Sequence, residues 1–267
     1  MTNPDATAIV PRAEQEPAPA PRPRQPNRAR VLVIYGVLGL ALVAAIVGTV
    51  VYAGRAVNPA PTWSAWKPSG GGLGAAKQIA DHVGGTYHLP SGQQLVDVIA
   101  KTPSVSPANQ QIPIHYIAVR GARGVVDSIF PVDSSNSLMY SLCGLGASCS
   151  IDTGTPSVAR GTLVRREILE LALYTFKYVG GVNNVIAFMP PTPGAQPTLA
   201  VYLQKSDFTQ ELKHPLSQTL NAKVPLPAAI SAKEQQTIDS TTQSRVYKFS
   251  LSQAQQGDAI LVLQPLA

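Results

Sequence analysis

Residues 31–53 read VLVIYGVLGLALVAAIVGTVVYA, about 23 consecutive positions without a charge and long enough for one helix to cross the hydrocarbon core of a bilayer. Beyond that run the apolar positions become periodic. Leu73, Ala76, Ile79, Ala80 and Val83 recur at helical spacing and Gly84-Gly85 follow, which predicts a helix over 73–83. Runs at 94–100, 112–120 and 124–130 read as strands, bounded by Pro103, Pro107, Pro113 and Pro131. The strongest helical pattern covers 162–179. Val164, Ile168, Leu171, Ala172 and Thr175 line one side, and Leu169, Leu173 and Phe176 widen it. Gly180 stands where a left-handed C-cap is wanted, and Arg166 and Glu170, an i, i+4 pair, mark the wet face.

Strands are predicted at 183–189 and 198–204, separated by PPTPGAQP, a loop too long for a tight hairpin. A helix starting at Ser206 or Asp207, with Asp207 and Gln210 in capping-box spacing, aligns Phe208, Leu212, Leu216 and Leu220, and Pro215 must kink or restart it. Residues 224–229 are broken by proline, 230–237 form a short helix, and 245–251 and 259–263 are paired strands. This order points to an α+β domain over 73–267, a largely antiparallel sheet backed by helices on one face. No internal repeat is present.

Composition divides the rest of the chain. Residues 1–30, rich in Pro, Ala, Arg and Gln, cannot bury apolar surface and are expected to be disordered. Residues 54–72, rich in Pro, Ser and Gly, read as a linker, within which Trp63 and Trp66 are expected to pack back on the domain. Arg12, Arg22, Arg24, Arg28 and Arg30 precede the apolar run, whereas only Arg55 and Lys67 follow it closely. That asymmetry keeps the N-terminus cytoplasmic and the C-terminal domain extracytoplasmic, with 31–53 held in the plasma membrane as an uncleaved anchor. A cleavable signal peptide fits less well, because its apolar region is shorter. Tyr35 and Tyr52 fall near the two ends of the span, at headgroup level.

The net charge is +6 with 13% charged residues, and the cations of the large domain are scattered except for Arg165 and Arg166. Nothing there forms the basic face that nucleic-acid binding needs. Cys143 and Cys149, with Gly144, Gly146 and Ala147 between them, read as a local disulfide loop in an oxidising compartment. Redox pairs of the thioredoxin kind use two intervening residues, and no second ligand pair suits zinc.

Ile151-Asp152-Thr153-Gly154-Thr155 resembles the catalytic tripeptide of the aspartic proteases, with its preceding aliphatic residue. The resemblance implies Asp152 as one of two carboxylates sharing a proton, the second supplied by a dimer partner as in retropepsin-like enzymes. It also implies a strand end in an all-β lobe, but here the long helix starts about eight residues later. The turn-forming composition of this stretch gives the plainer reading, a connection from the cysteine loop to that helix.

The histidines lack partners at ligating spacing. His82 and His88 flank Gly84-Gly85 near Asp81, His115 lies in a strand, and His214 precedes Pro215. Gly70, Gly71, Gly72, Gly74 and Lys77 lack the flanking strand and hydroxyl residue of a phosphate loop. No cofactor or metal is therefore expected. The sequence favours a non-catalytic interaction or structural protein of the cell envelope, bound to the bilayer through 31–53 and to an envelope protein or polymer. An exported hydrolase using Asp152 is the alternative.

Overall fold

The computed structural model describes residues 28–56, 62–105, 112–121, 128–253 and 258–266. Most of the tail expected to be disordered, together with 57–61, Pro107 and the start of the strand predicted at 124–130, lies outside them. The chain divides into two compact units, Met1–Ala60 and Pro61–Ala267. The first contains helix α1, Arg28–Ala56. Within it Leu32–Val51, 20 residues of mean hydropathy 2.4, is wholly unburied. Tyr35 is exposed on it.

The second unit is α+β. Its elements are α2 (Gly72–Gly84), β1 (Asp97–Lys101), β2 (Ser104–Val105), β3 (Ile112–Arg120), β4 (Ile129–Asp133), β5 (Ser137–Cys143), α3 (Val158–Tyr178), β6 (Asn184–Phe188), β7 (Leu199–Gln204), α4 (Ala232–Thr242), β8 (Val246–Gln253) and β9 (Ala259–Pro265). Hydrogen bonding joins the strands in the order β1-β5-β6-β7-β8-β9-β3-β2, with β4 beside β3. The first and last strands of this path are consecutive in the chain, separated only by Thr102 and Pro103. The sheet therefore curls until it is nearly closed.

It is also mixed, where a largely antiparallel sheet was expected. β5 pairs parallel with β6, and β3 with β9. The first of these has a local cause. α3 lies between β5 and β6 and carries the chain back to the end where it started, which is how parallel neighbours are connected.

Strand alternation sorts the core into two layers. The outer face presents Val98, Leu138, Tyr140, Val185, Val201 and Leu203 to α2, α3 and α4. The inner face buries Ile117, Met139, Ile186, Tyr202, Leu261 and Leu263 against one another.

Several elements depart from the sequence reading. β5 was not foreseen, yet it is central and nearly all buried. β4 runs through Pro131 instead of stopping there; among the described strands β4 pairs only with β3, and proline is tolerated where one edge needs no donor. α3 begins at Val158, with the Ser157 hydroxyl accepting from Arg160 N–H at 3.2 Å. After α3 the left-handed residue is Gly181, at φ 80°, and not Gly180.

The helix expected from Ser206 is replaced by 3-10 turns at Lys205–Phe208 and Leu216–Gln218. Pro215 has no N–H and disfavours helix at His214, and Asp207 is drawn to Arg245 at 3.2 Å, so no capping box forms. Phe208, Leu216 and Leu220 are buried all the same.

Residues 62–71, assigned to a linker by composition, pack into the folded unit. Trp63 is 8% exposed, and its indole N–H donates to the Glu211 carbonyl at 3.0 Å. Trp66 stacks on His82 with ring centroids 3.9 Å apart, as its expected packing requires.

The Cys143 and Cys149 sulfurs lie at bonding distance, 2.16 Å, with their Cα atoms 4.4 Å apart. Gly144 is needed there for close approach, since a Cβ would sit 2.0 Å from the Ser150 carbonyl oxygen. Ser148 and Cys149 both take positive φ, 55° and 63°.

Candidate functional site

The largest departure from expected polarity lies among the helices that cover the sheet. Arg166, placed on the wet face by helical spacing, is fully buried. Its Nε donates to Glu234 Oε1 at 2.9 Å, Nη2 to the Asn221 carbonyl at 2.7 Å, and Nη1 to Glu170 Oε2 at 3.1 Å and to the Tyr87 hydroxyl. Tyr87 donates in turn to Glu170 at 2.6 Å, and Asn221 N–H donates to Glu234 at 2.9 Å. Arg165 donates to Asp239 at 2.6 Å, giving α3 a second ion pair to α4.

Beside this network Glu167 is buried with neither carboxylate oxygen partnered. Burial pushes its pKa well up, the Glu170 charge adds to the rise, and Arg166 only partly opposes it. These groups fasten helices to one another. None of them lines the two hollows described below.

The open site is on the inner face. A hollow of about 430 Å³ sits at one end of the curled sheet, walled by Val105, Met139, Leu142, Phe188, Phe249 and Leu251 and bordered by both cysteines. Its size is that of a small-molecule pocket. Register explains the wall. Lys101 lies opposite Met139 in β5, Ile99 opposite Ser141, and Ser141 opposite Phe188 in β6, so these side chains share one face in rows across three strands. Phe188 and Phe249 meet edge to face at 4.7 Å between centroids. Leu251 in this wall is 51% exposed.

Lys101 is the one ionisable side chain among the residues lining this hollow. Its Nζ stands 5.9 Å over the Phe188 ring and is paired with no described acid. Burial lowers its pKa, as expected for an ammonium taken from water without a counter-charge. Ser104, buried, donates to the Thr102 carbonyl at 3.1 Å. An apolar chamber whose one cation pairs with no described acid is equipped for binding.

The residues singled out from sequence are dispersed. Asp152 is exposed, in the loop between the cysteine turn and α3. A hollow of about 130 Å³ lies beside that loop, lined by Ile151, Arg160, Val164 and Met189 but by no carboxylate. His82 stacks on Trp66, and its burial lowers its pKa although Glu170 opposes this. His88 lies 3.3 Å from the Thr86 carbonyl, and His115 3.7 Å from Asp258. His214 is exposed. Gly70 and Gly72 take positive φ beside the start of α2, and a Ser69 to Gln78 hydrogen bond of 2.8 Å ties them down.

Among the described residues no three His, Cys, Asp or Glu converge as a metal site would require. Cys143 and Cys149 meet, as expected, and they do so on the rim of the apolar hollow. Lys101, Phe188, Phe249 and Leu251 were not singled out from sequence, although the alternation Asp97, Ile99, Lys101 carried the signal. No protein-family model matches the chain, and neither a curated protein nor a solved structure matches it.

Proposed function

We propose that the chain is a single-pass, non-catalytic binding protein of the cell envelope, with α1 spanning the plasma membrane, the N-terminus cytoplasmic and the α+β unit outside. In this reading the inner-face hollow takes up an envelope component. The observation that carries it is the hollow itself, apolar, bordered by exposed Leu251 and fitted with one ammonium that no described acid pairs. The topology is supported by the unburied apolar helix and by the arginines before it. A joined Cys143-Cys149 pair suits an oxidising compartment.

Two measurements test the proposal. Carbonate washing of membranes should leave the intact chain in the pellet, and protease added to spheroplasts should degrade the α+β unit; release of the chain, or protection of that unit, refutes the topology. A photoreactive residue at Leu251 should capture a discrete envelope component in cells, which the same group at exposed Lys248 should not. Equal capture at both positions refutes the assigned site.

A further inference from the structure

We propose that the inner-face hollow binds a single-chain amphiphile with a carboxylate head, its tail laid between β5, β6 and β8 and its head at Lys101. This rests on the reading of the hollow as the binding site. Shape and chemistry of the wall select the tail. Val105, Met139, Phe188, Phe249 and Leu251 offer aliphatic and aromatic surface, and the space of about 430 Å³ is too large and too apolar to be justified as a packing flaw. Leu251 in the wall stays half-exposed, so the apolar surface continues to the opening, where a tail could enter.

Lys101 selects the head. Its Nζ stands over Phe188 on a half-buried side chain, with no acid lining the hollow to balance the charge. An entering carboxylate would give that ammonium a charge-assisted partner, and Ser141 supplies a hydroxyl on the adjacent strand. One cation balances one negative charge, which favours a monoanionic carboxylate over a dianionic phosphate.

The test uses the full chain in lipid nanodiscs and three photoactivatable twelve-carbon probes that differ only in the head: carboxylate, alcohol and trimethylammonium. Labelled peptides are mapped by mass spectrometry. The carboxylate probe should label β5, β6 and β8 about tenfold more than the alcohol, the scale of a charge-assisted hydrogen bond. Lys101→Met should bring the two probes to equal labelling, Lys101→Arg should preserve the preference, and Lys101→Glu should turn it toward the trimethylammonium probe.

Circular dichroism of each variant reports the fold, and the arginine variant keeps the test decisive if the methionine variant misfolds. Equal labelling of these strands by all three probes in the native chain overturns the carboxylate assignment and leaves the pocket standing. Absence of label from these strands with every probe overturns the pocket reading itself.

Discussion

On the outer face of the sheet, α2, α3 and α4 cover Leu138, Tyr140, Val185 and Val201, and even a guanidinium is taken in with four hydrogen bonds. On the inner face, Met139, Ile186 and Tyr202 are buried, but the layer stops short of the rim, where Leu251 is exposed and an ammonium meets no described acid. One face is a finished scaffold, and the other ends in an opening. The contrast follows from connectivity. Helices inserted between β5 and β6 and between β7 and β8 pack on the outer face, so the inner face must close on itself.

The largest effect should come from the outer face. Arg166→Met leaves Glu234 and Glu170 without their cation, and urea denaturation should show a loss of about 3–5 kcal/mol. A loss under 1 kcal/mol would mean that the charge network is incidental to the scaffold.

Removing both cysteines, Cys143→Ala with Cys149→Ala, should cost about 2 kcal/mol, the value for closing so short a loop. Faster hydrogen exchange should be confined to the rim of the inner hollow. Loss of protection in α3 as well would join the two faces into one cooperative unit.

Glu167 gives a signed pH test on the finished face. Its pKa is raised in the folded chain, so the native state holds a proton that the unfolded state releases. Its contribution to stability is therefore complete below the ordinary carboxylate range and is lost as pH rises from about 4 toward the folded value. Glu167→Gln should flatten that slope and gain about 1 kcal/mol at pH 8, measured by denaturation at several pH values. An unchanged slope would show that the carboxyl finds a counter-charge.

Leu251→Ser should change stability by no more than about 0.5 kcal/mol, since the side chain lies at an open mouth. A loss above 2 kcal/mol would make the mouth part of the core.

The sequence legibly marked the elements whose apolar pattern is long or bounded by turn residues, such as α3 and the paired strands β8 and β9. β5 was concealed because its residues Ser137, Leu138, Met139 and Tyr140 are buried on both faces and show no alternation. Without β5 there was no inner face on which Lys101 could be placed.

Arg166 misled for the opposite reason. Its spacing suits a solvated face, and only α4 and the Tyr87 segment, distant in sequence, turn that face inward. In the stretch 205–220 the apolar spacing was helical, but Pro215 left burial as its only outcome. The Asp152 motif carried family resemblance in five residues, and the fold puts them in an exposed loop.

The most direct measurement of the difference between the faces is hydrogen exchange on the full chain in nanodiscs, with and without dodecanoate. The expected result is added protection in β1, β5 and β8 around Lys101, with α3 and α4 unchanged. Unaltered exchange throughout, or protection centred on the helices, would contradict the assignment of the inner face as the binding surface.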